Sequence, residues 1–198
     1  MELVRGDSQA PFQFEKNINK CKKIMANVMQ SVRLDKLTLN IGIGAPGERL
    51  ENAKVLLERI SGGKAVMTQS KDRNPTFKIR KGDNIGCKVT LRGKSAKEVL
   101  VKALDVRDNA LAESSFDKFG NVAFGVKEYI DFPGMKYDPK IGMMGFDVCI
   151  TLSKPGKRIT VRKIASRKLS KKQRVGREEA KVFMESAYKV KIELPVEE

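Results

Sequence analysis

Between Leu34 and Ile43 the chain alternates apolar and polar residues (LDKLTLNIGI), the period-two signature of a half-buried strand. Glycines and Pro46 then break the chain, and a helix is expected from Glu48 or Arg49. Leu50, Ala53, Leu57 and Ile60 form its apolar stripe, and Gly62-Gly63 ends it. Val66 to Thr68 is a short strand candidate, followed by a polar basic loop, Ser70 to Thr76, punctuated by Pro75. Ile85 to Leu91 returns to strand character. Ser95 and Glu98 then read as a capping box opening a helix through Leu104. Two further strands are expected at Asn121–Ile130 and Phe146–Leu152, and a closing helix carries Ala180, Phe183, Met184, Ala187 and Tyr188 on one face. Upstream of all these, Ile18, Cys21, Met25 and Val28 recur at helical spacing among Lys16, Lys20, Lys22 and Lys23, which predicts a short basic amphipathic helix.

Strands and helices therefore interleave without regular βαβ spacing and without an internal repeat, the pattern of a two-layer α+β domain. The length, 198 residues with 40% hydrophobic residues, suits one domain with appendages and a real core. No stretch of about 18 apolar residues is present. The start, MELVRGDSQAPF, lacks the charged lead and apolar run of a secretory signal, so a cytoplasmic location is expected.

Candidate chemistry narrows quickly. Cys21, Cys87 and Cys149 lie far apart among apolar neighbours with no C-x-x-C pair, and the expectation is buried reduced thiols rather than disulfides or zinc. The chain has no histidine, which removes the commonest general base and the commonest metal ligand together. Asp105/Asp108 and Glu178/Glu179 read as helix-end charges, the latter suiting the first turn of the last helix. No catalytic residue, metal or cofactor is assigned.

Charge changes the picture most. Of a net +16, residues 153–177 contribute 11 basic residues and no acidic one. Left free in water this run would repel itself and stay extended; a polyanion relieves the repulsion and releases its own counterions. The apolar face that a membrane-surface helix would need is poorly formed there, so nucleic acid is the expected partner, and no membrane.

Two stretches look like phosphate-binding motifs. Gly42-Ile43-Gly44-Ala45-Pro46-Gly47 is a literal G-x-G-x-x-G between a strand and a helix, but the acid expected about 20 residues on is missing, and the chain lacks a doubly wound pattern. The glycines are better read as letting the chain leave the sheet, or letting an RNA backbone approach. Gly93-Lys94-Ser95 fails as a P-loop tail because position 88 is Lys88. Among the aromatics, Phe119, Phe124, Tyr129, Phe132 and Tyr137 could stack on unpaired bases, with core packing the expectation for most.

Longer stretches are more specific. LNIGIG (Leu39 to Gly44), FKIRKGDNIGCKVTLRG (Phe77 to Gly93) and FDKFGNVAFGVKEYIDFPGMKYDPKIGMMGFDV (Phe116 to Val148) together resemble the universal large-subunit ribosomal protein five family. The resemblance runs from about Asn27 to Ile192. KPGKRITVRKIASRKLSKKQRV, followed by the last helix, resembles the archaeal and eukaryotic branch, and an archaeal type is expected. The resemblance implies a curved, mostly antiparallel sheet with helices on one face and a basic C-terminal extension. It divides the chain into an extension (1–26), a core 5S rRNA-binding domain (27–152), and a basic segment with closing helix packed on that domain (153–198).

The resemblance also implies a structural, non-enzymatic role in the large ribosomal subunit. The implied partners are 5S rRNA, large-subunit rRNA, small-subunit protein thirteen, neighbouring 5S-associated proteins and the P-site tRNA, with no homo-oligomer. By position, Asn40 and Thr90 match the polar residues that bond 5S rRNA, with Lys64 and Arg92 as neighbouring phosphate contacts. Arg158, Arg162, Lys163, Arg167, Lys168, Lys171, Lys172 and Arg174 extend the rRNA surface. Lys71, Arg73 and Asn74, with flanking Lys78 and Arg80, match the tRNA-facing loop. Gly63 stands where many members have a glutamine, Gln173 replaces a histidine common in this branch, and residues 1–26 exceed the usual start.

Overall fold

The computed structural model describes residues 27–193. The basic helix expected around Ile18, Cys21 and Met25 lies outside them. Val28, the last position of that stripe, sits exposed in a short 3-10 turn, Val28–Gln30.

Alternation in the strands separates two faces. β1 (Arg33–Gly42) buries Leu37, Leu39 and Ile41, and β3 (Asn84–Leu91) buries Cys87, Val89 and Leu91. β5 (Asn121–Val126) and β6 (Phe146–Ser153) do the same with Val122, Phe124 and Val126, and with Phe146, Val148, Ile150 and Leu152. With β2 (Val66–Gln69) at the edge, they form an open antiparallel sheet in the order β2-β3-β1-β6-β5. The pairing register shifts between Leu34 and Lys36 and between Thr68 and Gln69.

The apolar stripes of three helices cover the buried face. α1 (Glu48–Ser61) buries Leu50, Ala53, Leu56, Leu57 and Ile60; α2 (Gly93–Asp105) buries Ala96, Val99, Leu100, Ala103 and Leu104. α3 (Arg177–Tyr188) closes the layer with Ala180 and Met184. The fold is thus α+β in two layers. α1 ends as the glycines predict: Gly62 takes a left-handed φ of 64° and its N–H reaches the Glu58 carbonyl at 2.9 Å.

Local structure departs from the sequence pattern at four places. The Ser95/Glu98 capping box does not form, because α2 already opens at Gly93, with Arg92 at the capping position and no side-chain cap. Gly93 has φ +66°, which swings the chain straight from β3 into the helix and leaves Ser95 inside the first turn. The strand from Asn121 stops at Val126 rather than Ile130. Tyr129 turns inward within a 3-10 turn, Tyr129–Asp131, is fully buried, and its hydroxyl accepts from the Asp138 N–H at 2.9 Å. Cys149 is only half-buried, because it points to the face of β6 away from the helices, unlike fully buried Cys87. Burial pushes the Cys87 thiol up to about 11, which keeps it neutral and inert. Finally, β4 (Ala110–Ala112) pairs in parallel with β7 (Lys191–Glu193), a contact three residues long that carries no periodic signal.

Candidate nucleic-acid interface

The polar half of the strand alternation faces away from the helices. Register aligns it in rows across the sheet. Asn40 lies opposite Lys88 on one side and Asp147 on the other, and Lys88 in turn lies opposite Val66. The next row joins Thr90, Thr38, Cys149 and Ala123. Asn40 and Thr90 are therefore diagonal neighbours, roughly 7–8 Å apart by sheet geometry. Gly42, Thr38, Ala123 and Gly125 around them are small, which leaves room beside Lys88 and Asp147 for a ribose-phosphate backbone to come close to the sheet.

Lys88 is exposed in the Asn40 row, a cation to which the sequence pattern assigned no binding role. Its signal was available: it lies two residues before Thr90 in a strand, hence on the same face. Lys64 is exposed two residues ahead of Val66, at the Thr90 end of the edge strand. Arg92 is exposed too, but its guanidinium is partly committed, holding Asp35 at 2.9 Å. A Cβ at Gly63 would meet Leu91 and Val89 at 3.5 and 3.6 Å in ordinary contact, so that position has room for a side chain.

The loop between β2 and β3 projects from the end of the sheet remote from Arg92. Asn74 and Ile79 exchange two backbone hydrogen bonds (2.9 and 3.0 Å), and Ser70 N–H reaches the Asp83 carbonyl at 2.8 Å, so the loop is a short hairpin. Lys71, Arg73, Asn74, Lys78 and Arg80 are all exposed on it, with Phe77 at the tip.

The basic run folds back on the opposite end of the sheet, through 3-10 turns at Lys157–Thr160 and Lys171–Gln173. Its cations separate into two groups. Lys154 is 6% exposed and pairs with Glu179 at 2.7 Å; Lys157 pairs with Asp35 at 2.8 Å; Arg177 reaches Glu113 at 3.5 Å. These three anchor the segment. Arg158, Arg162, Lys163, Arg167, Lys168, Lys171, Lys172 and Arg174 are exposed and form no ion pair among the described residues. Self-repulsion is thus relieved by three internal acids, while eight positive charges stay available to a polyanion.

The glycine-rich turn after β1 is not built for a pyrophosphate. The N–H groups of Ile43 and Gly44 both donate to the Ile85 carbonyl, at 2.9 and 2.8 Å, so they are already used. The antiparallel sheet also lacks the parallel crossover that a dinucleotide fold requires. Among the described residues no cluster of potential ligands could hold a metal ion, and no helix is long and apolar enough to cross a membrane.

Comparison with known sequences identifies a family. Residues 27–80 match ribosomal protein L5, and residues 84–189 match the C-terminus of the same ribosomal family. The chain belongs to the ribosomal L5 family. It is 47% identical over 167 residues to the large ribosomal subunit protein uL5 of Methanosphaera stadtmanae, covering 84% of this chain and 99% of that protein. Its identity to uL5 of Methanoculleus marisnigri is 46% over 164 residues, covering 83% and 98%. For uL5 of Methanococcoides burtonii it is 41% over 169 residues, covering 85% and 100%. The L5-family chain is accordingly a protein of the large ribosomal subunit, a structural component rather than an enzyme. These relatives are archaeal, as the C-terminal stretch suggested.

Proposed function

We propose that this L5-family protein anchors 5S rRNA in the central protuberance through the helix-free face of its sheet. Asn40 and Thr90 make the register-setting contacts, and Lys64, Lys88 and Arg92 hold adjacent phosphates. The observation that supports this most directly is the placement of Asn40 and Thr90 as diagonal neighbours on the helix-free face of a hydrogen-bonded sheet. Short polar groups on a rigid platform read RNA shape and 2′-hydroxyls, while the surrounding cations supply affinity. In this reading the eight free cations of the basic segment contact large-subunit rRNA phosphates. The hairpin with Lys71, Arg73, Asn74, Lys78 and Arg80 reaches towards the P-site tRNA. Small-subunit protein thirteen and the neighbouring 5S-associated proteins complete the surroundings, and the chain acts as a single copy.

The test is 5S rRNA binding by the full chain at about 150 mM salt, against an unrelated structured RNA of equal length. Preference for 5S rRNA by on the order of a hundredfold, about 2.7 kcal/mol, is expected. Replacing Asn40 and Thr90 together by alanine should remove most of that preference and leave the melting temperature nearly unchanged, since both side chains are accessible. Equal binding of the two RNAs by the unaltered protein would reduce the surface to a non-specific polycation.

A further inference from the structure

The aromatic residues divide on folding. Phe124, Tyr129 and Phe132 are core, whereas Phe119 is 59% exposed although it lies beside the sheet. It lines a cavity of about 220 Å³ between the β5 edge and the basic segment, with Leu152, Leu169 and Val175 as the other apolar residues. Asn121, Thr151, Ser153 and Gln173 supply polar groups, and Lys154, Lys157 and Arg174 line it as well. An apolar slot with a few polar groups and cations in its lining matches a nucleobase with its phosphate better than it matches a lipid or a peptide.

The slot is held open by the fold. Phe119 sits in a tight turn in which Asp117 N–H reaches the Asn121 carbonyl at 2.9 Å and Gly120 N–H reaches the Asp117 carbonyl at 3.1 Å. Gly120 (φ +72°) lies so close to Val175 that a Cβ there would fall 2.6 Å from a Val175 methyl, so the turn is docked on the buried approach to the last helix. Across the slot, Gln173 donates from Nε2 to the Pro155 carbonyl at 2.9 Å, which fixes the amide and leaves its oxygen and second hydrogen uncommitted. Lys157 is fixed by Asp35 at 2.8 Å.

The slot also continues the helix-free face. Asn121 and Thr151 face each other across β5 and β6, and Thr151 lies opposite Lys36 on β1. Lys36 is four residues from Asn40 along β1, about 13 Å.

We propose that this slot takes one unstacked base of the RNA held on the sheet, stacked on Phe119 with its hydrogen-bonding edge towards Asn121 and Gln173. The proposal rests on the 5S rRNA reading above. It gives Gln173 a direct role in base contact, and its neutral amide makes that contact independently of pH.

The chain contains no tryptophan, so Phe119→Trp introduces a single fluorophore into the slot. Bound 5S rRNA should quench it strongly, while Tyr137→Trp, at an exposed position away from the slot, should respond little. A perfectly paired RNA duplex of equal length should bind through charge without quenching the Phe119→Trp emission. Phe119→Ala should weaken 5S binding by about tenfold with an unchanged salt slope, and Phe119→Tyr should restore it. Normal 5S binding with no quenching of the introduced tryptophan, or equal quenching by the duplex, overturns the slot and leaves the 5S reading intact. Failure of the unaltered protein to prefer 5S rRNA overturns both.

Discussion

Lys154 and Lys168 belong to the same basic run and do opposite work. Lys154 is buried, donates to the Arg174 carbonyl at 3.3 Å and pairs with Glu179, which also accepts from the Gly176 N–H at 3.2 Å at the start of α3. Removing the cation strands a carboxylate and loosens the helix start together. Lys154→Ala is expected to cost about 3 kcal/mol, a fall of roughly 6–12 °C in melting temperature. Lys168→Ala, at an exposed position, should change stability by less than about 0.5 kcal/mol and weaken RNA binding instead. Thermal melts beside RNA titrations separate the two roles; equal melting temperatures would refute the anchoring role of Lys154. Gly63 should tolerate a side chain, since the neighbours of a Cβ stand at contact distance and not in collision.

At the scale of elements, one carboxylate ties three segments. Asp35 at the start of β1 holds Arg92 at the β3–α2 junction (2.9 Å) and Lys157 in the basic segment (2.8 Å). Burial pushes the Asp35 carboxyl up, but Lys157 and Arg92 together outweigh this and leave it below its ordinary value of 3.8. A lowered folded-state value means that the clamp contributes fully above the ordinary value and is lost as pH falls through the folded one. Asp35→Asn should therefore lower stability by about 1 kcal/mol near neutral pH, roughly 2–4 °C in melting temperature. The gap from the unaltered protein should close as pH drops below 3.8. A gap that stays constant into acid would show that Asp35 acts through packing and not through charge. The asparagine should also speed protease cleavage in the 157–174 segment, which loses its tie to the sheet.

Across the whole molecule the charge has a direction. The hairpin cations project from one end of the sheet, the eight free cations of the basic segment surround the other, and the nearly neutral rows of Asn40 and Thr90 lie between them. This arrangement assigns affinity to the ends and register to the middle. Neutralising Lys168, Lys171 and Lys172 should flatten the log–log salt dependence of RNA binding by about one unit for each phosphate no longer paired with a lysine. The Asn40/Thr90 double variant should shift affinity without changing that slope. A slope unmoved by the three neutral lysine replacements would mean that the segment faces protein or solvent.

Much of this was legible in the chain alone. Period-two runs placed β1, β3 and β6, the stripe from Leu50 to Ile60 placed α1, and Gly62 ended it, because each rests on interactions within a few residues. The family was legible as well, from LNIGIG and the long stretches around Phe77–Gly93 and Phe116–Val148. What required tertiary structure depended on partners distant in sequence. Ser95 could not reveal that Gly93 had already opened the helix, and β4 and β7 are too short to show a period before they meet. The cations of an unbroken basic run looked equivalent until Glu179, Asp35 and Glu113 neutralised three of them. Among the aromatics, only packing decided that Phe124, Tyr129 and Phe132 fill the core while Phe119 stands open beside Gln173. Burial and ion pairing are properties of the folded surface, and no local pattern encodes which charges or rings that surface leaves free.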